Sequence, residues 1–169
     1  MNKLDGVKLI GVAVAMCLAL GAGARADAQV GIPVGTAAPG AAVHNLDGSS
    51  ADLAQYIGKT PVLLEFWATW CPVCKELEPK MLDLAKRYGT KVKFVGVAVS
   101  VNESPRRVKL YAEKYHYPFD MVFDTDGNAV TAYDVPATSY VVVIDKSGKV
   151  VYTGQGADQD LEAALKKAL

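Results

Sequence analysis

Three apolar runs rich in β-formers set the rhythm of the chain: "PVLLEFWA" (61–68), "VKFVGVAV" (92–99) and "YVVVI" (140–144). The first and third are nearly unbroken rather than alternating, which suits strands covered on both faces. Between the runs the pattern turns helical, over residues 72–88 and again in "SPRRVKLYAEKYH" (104–116), where Ser104 fits an N-cap and Pro105 the first turn. A last helix in "DQDLEAALKKAL" (158–169) starts from acids and ends with Lys166 and Lys167, as the helix dipole favours. "AVHNLDGSSADL" reads as a short hairpin turning at Asp47 and Gly48. "VVVIDKSGKVVYTG" reads as another, turning at residues 146–148. Strands alternating with helices, plus a terminal hairpin, predict an α/β fold with a central mixed sheet flanked by helices.

Ahead of this pattern the chain changes character. Lys3 and Lys8 precede an apolar stretch from Leu9 to Ala24, and small residues then alternate in "ARADA". That is the layout of a secretory signal, with Ala-x-Ala ending at Ala26 or Ala28. The apolar run falls somewhat short of the ~20 residues a spanning helix wants, so residues 1–26 are expected to be a cleaved signal, with a retained membrane anchor as the alternative. Met16 stands where a lipid-attachment site would need a small residue, so Cys17 reads as an apolar residue of the signal. "VGIPVGTAAPGAA" (30–42) reads as a linker or extended lead-in, assigned to residues 27–40, and residues 41–169 as one domain.

At 169 residues the chain is long enough for one domain with a real core. Its 18 bases and 18 acids balance, so no strong field favours nucleic acid. Loss of residues 1–26 removes Lys3, Lys8, Arg25 and Asp5, leaving 15 bases, 17 acids and a net charge of −2. Export would also place the two remaining cysteines where disulfides persist.

Those two, Cys71 and Cys74 of "WATWCPVCK", carry the candidate chemistry. A structural zinc wants four ligands, and His44 and His116 are far away in sequence. Covalent haem attachment needs His after the second cysteine, where Lys75 stands. Copper(I) on the two soft thiolates stays open. A purely structural bridge closing so short a loop would remove little entropy from the unfolded chain. Redox exchange explains more. Cys71 follows a buried strand and Pro72 begins a helix, so unpaired N–H groups and the dipole favour a thiolate at Cys71. Cys74, one turn on, shares its face. Cys71 is therefore the expected nucleophile and Cys74 the expected resolving thiol.

"FWATWCPVCK" together with "VPATSYVVVID" resembles the thioredoxin superfamily, and an exported chain with an N-terminal hairpin and an extra mid-chain helix resembles its TlpA/ResA/CcmG-like branch. The resemblance spans roughly residues 33–169. It includes Trp67, Trp70 and Pro79, five after Cys74, where the family's active-site helix bends. Ala68 stands where a peroxidase relative would have threonine. The resemblance implies a thioredoxin-like fold and four further roles. Glu65, six before Cys71, would be a buried acid of raised pKa that exchanges the proton of Cys74, against the plainer reading of an acid at a strand edge. Pro136 would be a cis-proline facing the cysteines, against an ordinary proline at a strand start. Val135 would offer backbone groups to a substrate segment. Trp70, with Pro72 and Val73, would form the rim where a partner docks, while Trp67 packs in the core.

Pro72 and Val73 supply no cation to stabilise the Cys71 thiolate further, so a potential nearer the reducing end is expected. The resulting expectation is a periplasmic, monomeric thiol:disulfide reductase that uses no cofactor beyond its own disulfide. Its substrate would be an oxidised protein of cytochrome c or copper-oxidase assembly, and a membrane thiol donor of the DsbD/CcdA kind would keep it reduced. A disulfide oxidase or isomerase, or a copper(I) chaperone, are the alternatives. Arg106, Arg107 and Lys109 are expected to be a solvated helix face.

Overall fold

The structure, a computed structural model, describes residues 31–169. The apolar runs become strands: β3 (Val62–Trp67), β4 (Lys93–Val99) and β6 (Tyr140–Ile144). The expected hairpins are β1 (Ala42–Asn45) with β2 (Ser50–Asp52), and β6 with β7 (Val150–Gln155). Gly48 and Gly148 supply the positive φ their turns need. Helices α1 (Pro72–Tyr88), α2 (Pro105–Lys114) and α4 (Leu161–Ala168) fill the expected segments. Ser104 accepts the Arg107 N–H and Asp160 the Ala163 N–H, capping α2 and α4.

Two elements escape the sequence pattern. Strand β5 (Asp120–Asp124) pairs parallel with β4 and antiparallel with β1, and α3 (Asn128–Ala132) follows it. The mid-chain helix α2 thus arrives with a strand of its own. Sheet order is β2-β1-β5-β4-β3-β6-β7, with β3, β4 and β5 parallel.

The sheet has a core on each side. Leu63, Phe94, Val141 and Val143 pack against Leu77, Met81 and Leu84 of α1 and Leu161 and Leu165 of α4. Leu64, Phe66, Val95, Val97 and Val142 face the opposite core with Leu53 and Tyr133. Burial of β3 on both faces is why its sequence hardly alternates.

Residues 31–40, within the expected linker, are an extended strap on the body. Gly35 N–H donates to Val150 C=O at 2.8 Å, Val150 N–H to Thr36 C=O at 2.9 Å, and Ala37 pairs with Lys149. Ile32 is buried, and its N–H reaches Tyr133 C=O. Proline and glycine suit such a lead-in because it needs few ladder bonds. The expected signal at 1–26 lies outside the described residues. Among the described residues no helix is long and apolar enough to cross a membrane.

Candidate active site

Central strand β3 ends at Trp67, and four residues later the chain enters α1. Cys71 is the N-cap, with extended backbone, and Pro72 occupies the first helical position, where a missing N–H costs nothing. Cys71 and Cys74 form a disulfide, with Cα atoms 5.3 Å apart. The Cys71 sulfur also accepts the Cys74 backbone N–H at 3.0 Å. The same N–H and the helix dipole favour a thiolate at Cys71 once the bridge is reduced.

The bridge is buried, but its surroundings are open. Trp70 is 43% exposed and Val73 37%, and Pro72 is exposed as well. Trp70 forms one wall of an apolar groove of about 290 Å³, shared with Val99, Val101, Val130, Val135 and Thr138. Its indole N–H donates to Val101 C=O at 2.9 Å, which holds the ring across the groove. Trp67 is buried as expected, stacked near-parallel on Tyr117 with ring centres 5.7 Å apart.

Val135 lines this groove, but Pro136 requires a correction. The Val135–Pro136 bond is trans: no cis peptide occurs among the described residues. Trans is the isomer an X–Pro bond prefers, and here the chain reverses through left-handed Asp134 and Ser139 instead. Pro136 is exposed, four residues short of β6.

Glu65 sits in the middle of the sheet, between Gly96 of β4 and Val141 of β6, so the strand-edge reading falls away. It shares the face of Leu63, which α1 covers. Burial first, then the neighbouring charge of Glu78, pushes its carboxyl up to about 8. Gly96, its partner on β4, leaves room for Met121 and Trp67, because a side chain there would collide with the Met121 sulfur and the Trp67 indole nitrogen. The Trp67 N–H is buried without a partner.

Sequence reasoning missed three supporting groups. Glu103 has a fully buried side chain that accepts from Thr69 N–H at 2.8 Å, Thr69 Oγ1 at 2.6 Å and Ser104 N–H at 2.9 Å. It ties the loop before Cys71 to the start of α2. Glu78, four residues after Cys74 on α1, accepts the Tyr111 hydroxyl of α2 at 2.8 Å. For Glu78 the i+4 spacing was a usable signal; for Glu103 and Tyr111, more than 30 residues from their partners, there was none.

A dithiol–disulfide pair at the head of the helix that follows a central strand, beside an apolar groove, defines a thiol–disulfide oxidoreductase of thioredoxin-like fold. Residues 33–169 match the Redoxin family, and the chain belongs to it. It is 32% identical over 136 residues to "Thiol-disulfide oxidoreductase ResA" of Bacillus thuringiensis subsp. konkukian, covering 79% of this chain and 78% of that one. It is 33% identical over 141 residues to "Thioredoxin-like protein YneN" of Bacillus subtilis, covering 81% of each. A crystal structure of a thioredoxin-family thiol:disulfide interchange protein from Chlorobium tepidum superposes with a TM-score of 0.66 at 27% identity, covering 80% of this chain and 97% of that one.

Proposed function

We propose that this oxidoreductase is an exported reductase of particular protein disulfides. The observation that carries the direction is the setting of Cys71. Its sulfur is met by one backbone N–H at a helix start, and the intervening Pro72 and Val73 bring no cation. A modestly favoured thiolate makes the dithiol a better electron donor than one whose thiolate is strongly held. Relatives named as ResA oxidoreductases support the same reading.

The chemistry is a two-step exchange. The Cys71 thiolate attacks one sulfur of a substrate disulfide, and the substrate's other sulfur leaves as a thiolate. Cys74 then gives its proton to the Glu65 carboxylate and attacks the Cys71 sulfur, which breaks the mixed disulfide and releases the second substrate thiolate. Two electrons pass to the substrate, and the Cys71–Cys74 bridge remains. A membrane thiol donor of the DsbD/CcdA kind would restore the dithiol by the reverse steps. The groove beside Trp70 and Val135 takes an apolar side chain next to the substrate cysteine. Oxidised apocytochrome c or a copper-site assembly protein fits this role.

The test is the reduction potential of the pair in the purified full chain, equilibrated with glutathione buffers. A value well below roughly −210 mV is expected for a reductase. A value near about −120 mV would make the protein a disulfide donor and reverse the proposal.

A further inference from the structure

Glu65 and Glu78 come from elements packed on each other, β3 and α1, and the charge of Glu78 is felt at Glu65. Glu65 rises from the floor of the sheet on the face that α1 covers. Glu78 lies one helical turn beyond Cys74, half-buried, between buried Leu77 and Met81 on either side in sequence. Its carboxylate is fixed from across the cleft by the Tyr111 hydroxyl of α2. Tyr111 in turn packs on Trp67, ring centres 5.6 Å apart, and Tyr117 stacks on the same indole. Trp67 and Tyr111 pack in the same core cluster as Cys71 and Cys74.

Glu78 from α1, Tyr111 from α2 and Tyr117 from the segment before β5 interact with Glu65 by charge, and Cys71 and Cys74 begin the helix that covers its face. β4, β5 and β6 offer it Gly96, Met121 and Val141, which carry no charge. Burial first, and then Glu78, holds both phenols above their ordinary range, so they stay protonated, and Tyr111 donates to Glu78. None of these groups is a cation, and the charge that Glu78 brings to Glu65 has the same sign as the Glu65 carboxylate.

We propose that Glu78, held in place by Tyr111, is a positioning residue for proton transfer: its negative charge makes the ionised Glu65 carboxylate a stronger base for the Cys74 proton. The inference rests on the Glu65 role given above. In the resolving step the proton leaves Cys74 Sγ for a Glu65 carboxylate oxygen, and the electron pair left on sulfur forms the bond to Cys71 Sγ. Glu78 touches neither sulfur. It acts through repulsion of the Glu65 carboxylate, which in a buried site moves an ionisation equilibrium by about tenfold or more.

The resolving step can be read alone by mixing the reduced full chain with 5,5′-dithiobis(2-nitrobenzoate). Attack by Cys71 releases one nitrothiobenzoate and resolution by Cys74 releases the second, so the second phase is followed against pH. In the unaltered protein that phase should accelerate through a midpoint near the Glu65 ionisation. Glu78→Gln should lower the midpoint by about one pH unit, tenfold in proton concentration. Tyr111→Phe, which frees the Glu78 carboxylate, should lower it in the same direction by less, and Glu78→Asp should bring it back toward the starting value. A carbon-13 carboxyl titration of Glu65 in the oxidised proteins should show the same ordering without relying on rates. If Glu65→Gln abolishes the midpoint while Glu78→Gln leaves it in place, the inference is overturned and Glu65 keeps its role. If the midpoint survives Glu65→Gln, the Glu65 role itself fails, and the inference with it.

Discussion

Glu65 pairs a costly position with a useful one. Its carboxyl is held up to about 8 by burial and by Glu78, against an ordinary 4.5. Between those values the native protein keeps a proton that the unfolded chain has released. Stability is therefore fully present below about 4.5 and is lost as pH rises through about 8. Each pKa unit is worth about 1.4 kcal/mol, so the loss is on the order of a few kcal/mol. Denaturant unfolding of the oxidised protein should show stability falling from pH 5 to pH 9, and Glu65→Gln should flatten that slope. An unchanged slope would mean that the carboxyl is not buried as described. The acid itself was legible because it breaks an apolar run. For Glu78 only the i+4 spacing from Cys74 was a signal, and its partner Tyr111, 33 residues away, left none.

Among the elements, the helix carrying the cysteines is spelled out locally: a cap, a first-turn proline and an apolar stripe of Leu77, Met81 and Leu84 bound it. What positions its start is not local. Glu103 accepts three hydrogen bonds within a buried pocket and reaches back 34 residues to Thr69. Glu103→Ala would leave the Thr69 and Ser104 N–H groups unpaired and cost about 2–4 kcal/mol. It should also loosen Trp70 from Val101, visible as a shift in tryptophan emission. If stability and emission both stay unchanged, Glu103 is a bystander. The same distance argument explains β5 and α3. Asp120–Asp124 has only three apolar residues between acids, and its strand character comes from β4 and β1 on either side. The five residues of α3 are too few for a periodicity to show; its first turn is held by buried Asp124, which accepts the Ala129 and Val130 N–H groups.

Over the whole molecule, the order of the sheet places the redox pair at the carboxyl end of its central strand, where open α/β sheets gather their sites. The buried strand before Cys71 and the helix from Pro72 were readable in the apolar runs and the CxxC spacing; the order of the strands was not. Neither was the strap at 31–40, because a sequence of Gly, Pro and Ala looks the same whether it hangs free or lies on a surface. Lying where it does, it pairs with the first residues of β7, while the opposite margin of the sheet ends in β2, only three residues long. Both borders along which another sheet could zip on are thereby shortened or occupied. A chain trimmed to begin at residue 41 would leave the start of β7 bare, and should sediment as larger species than the full chain does at the same concentration. The strap thus occupies the border of β7 along which a second copy could add a strand, and those ten residues are expected to hold self-association down.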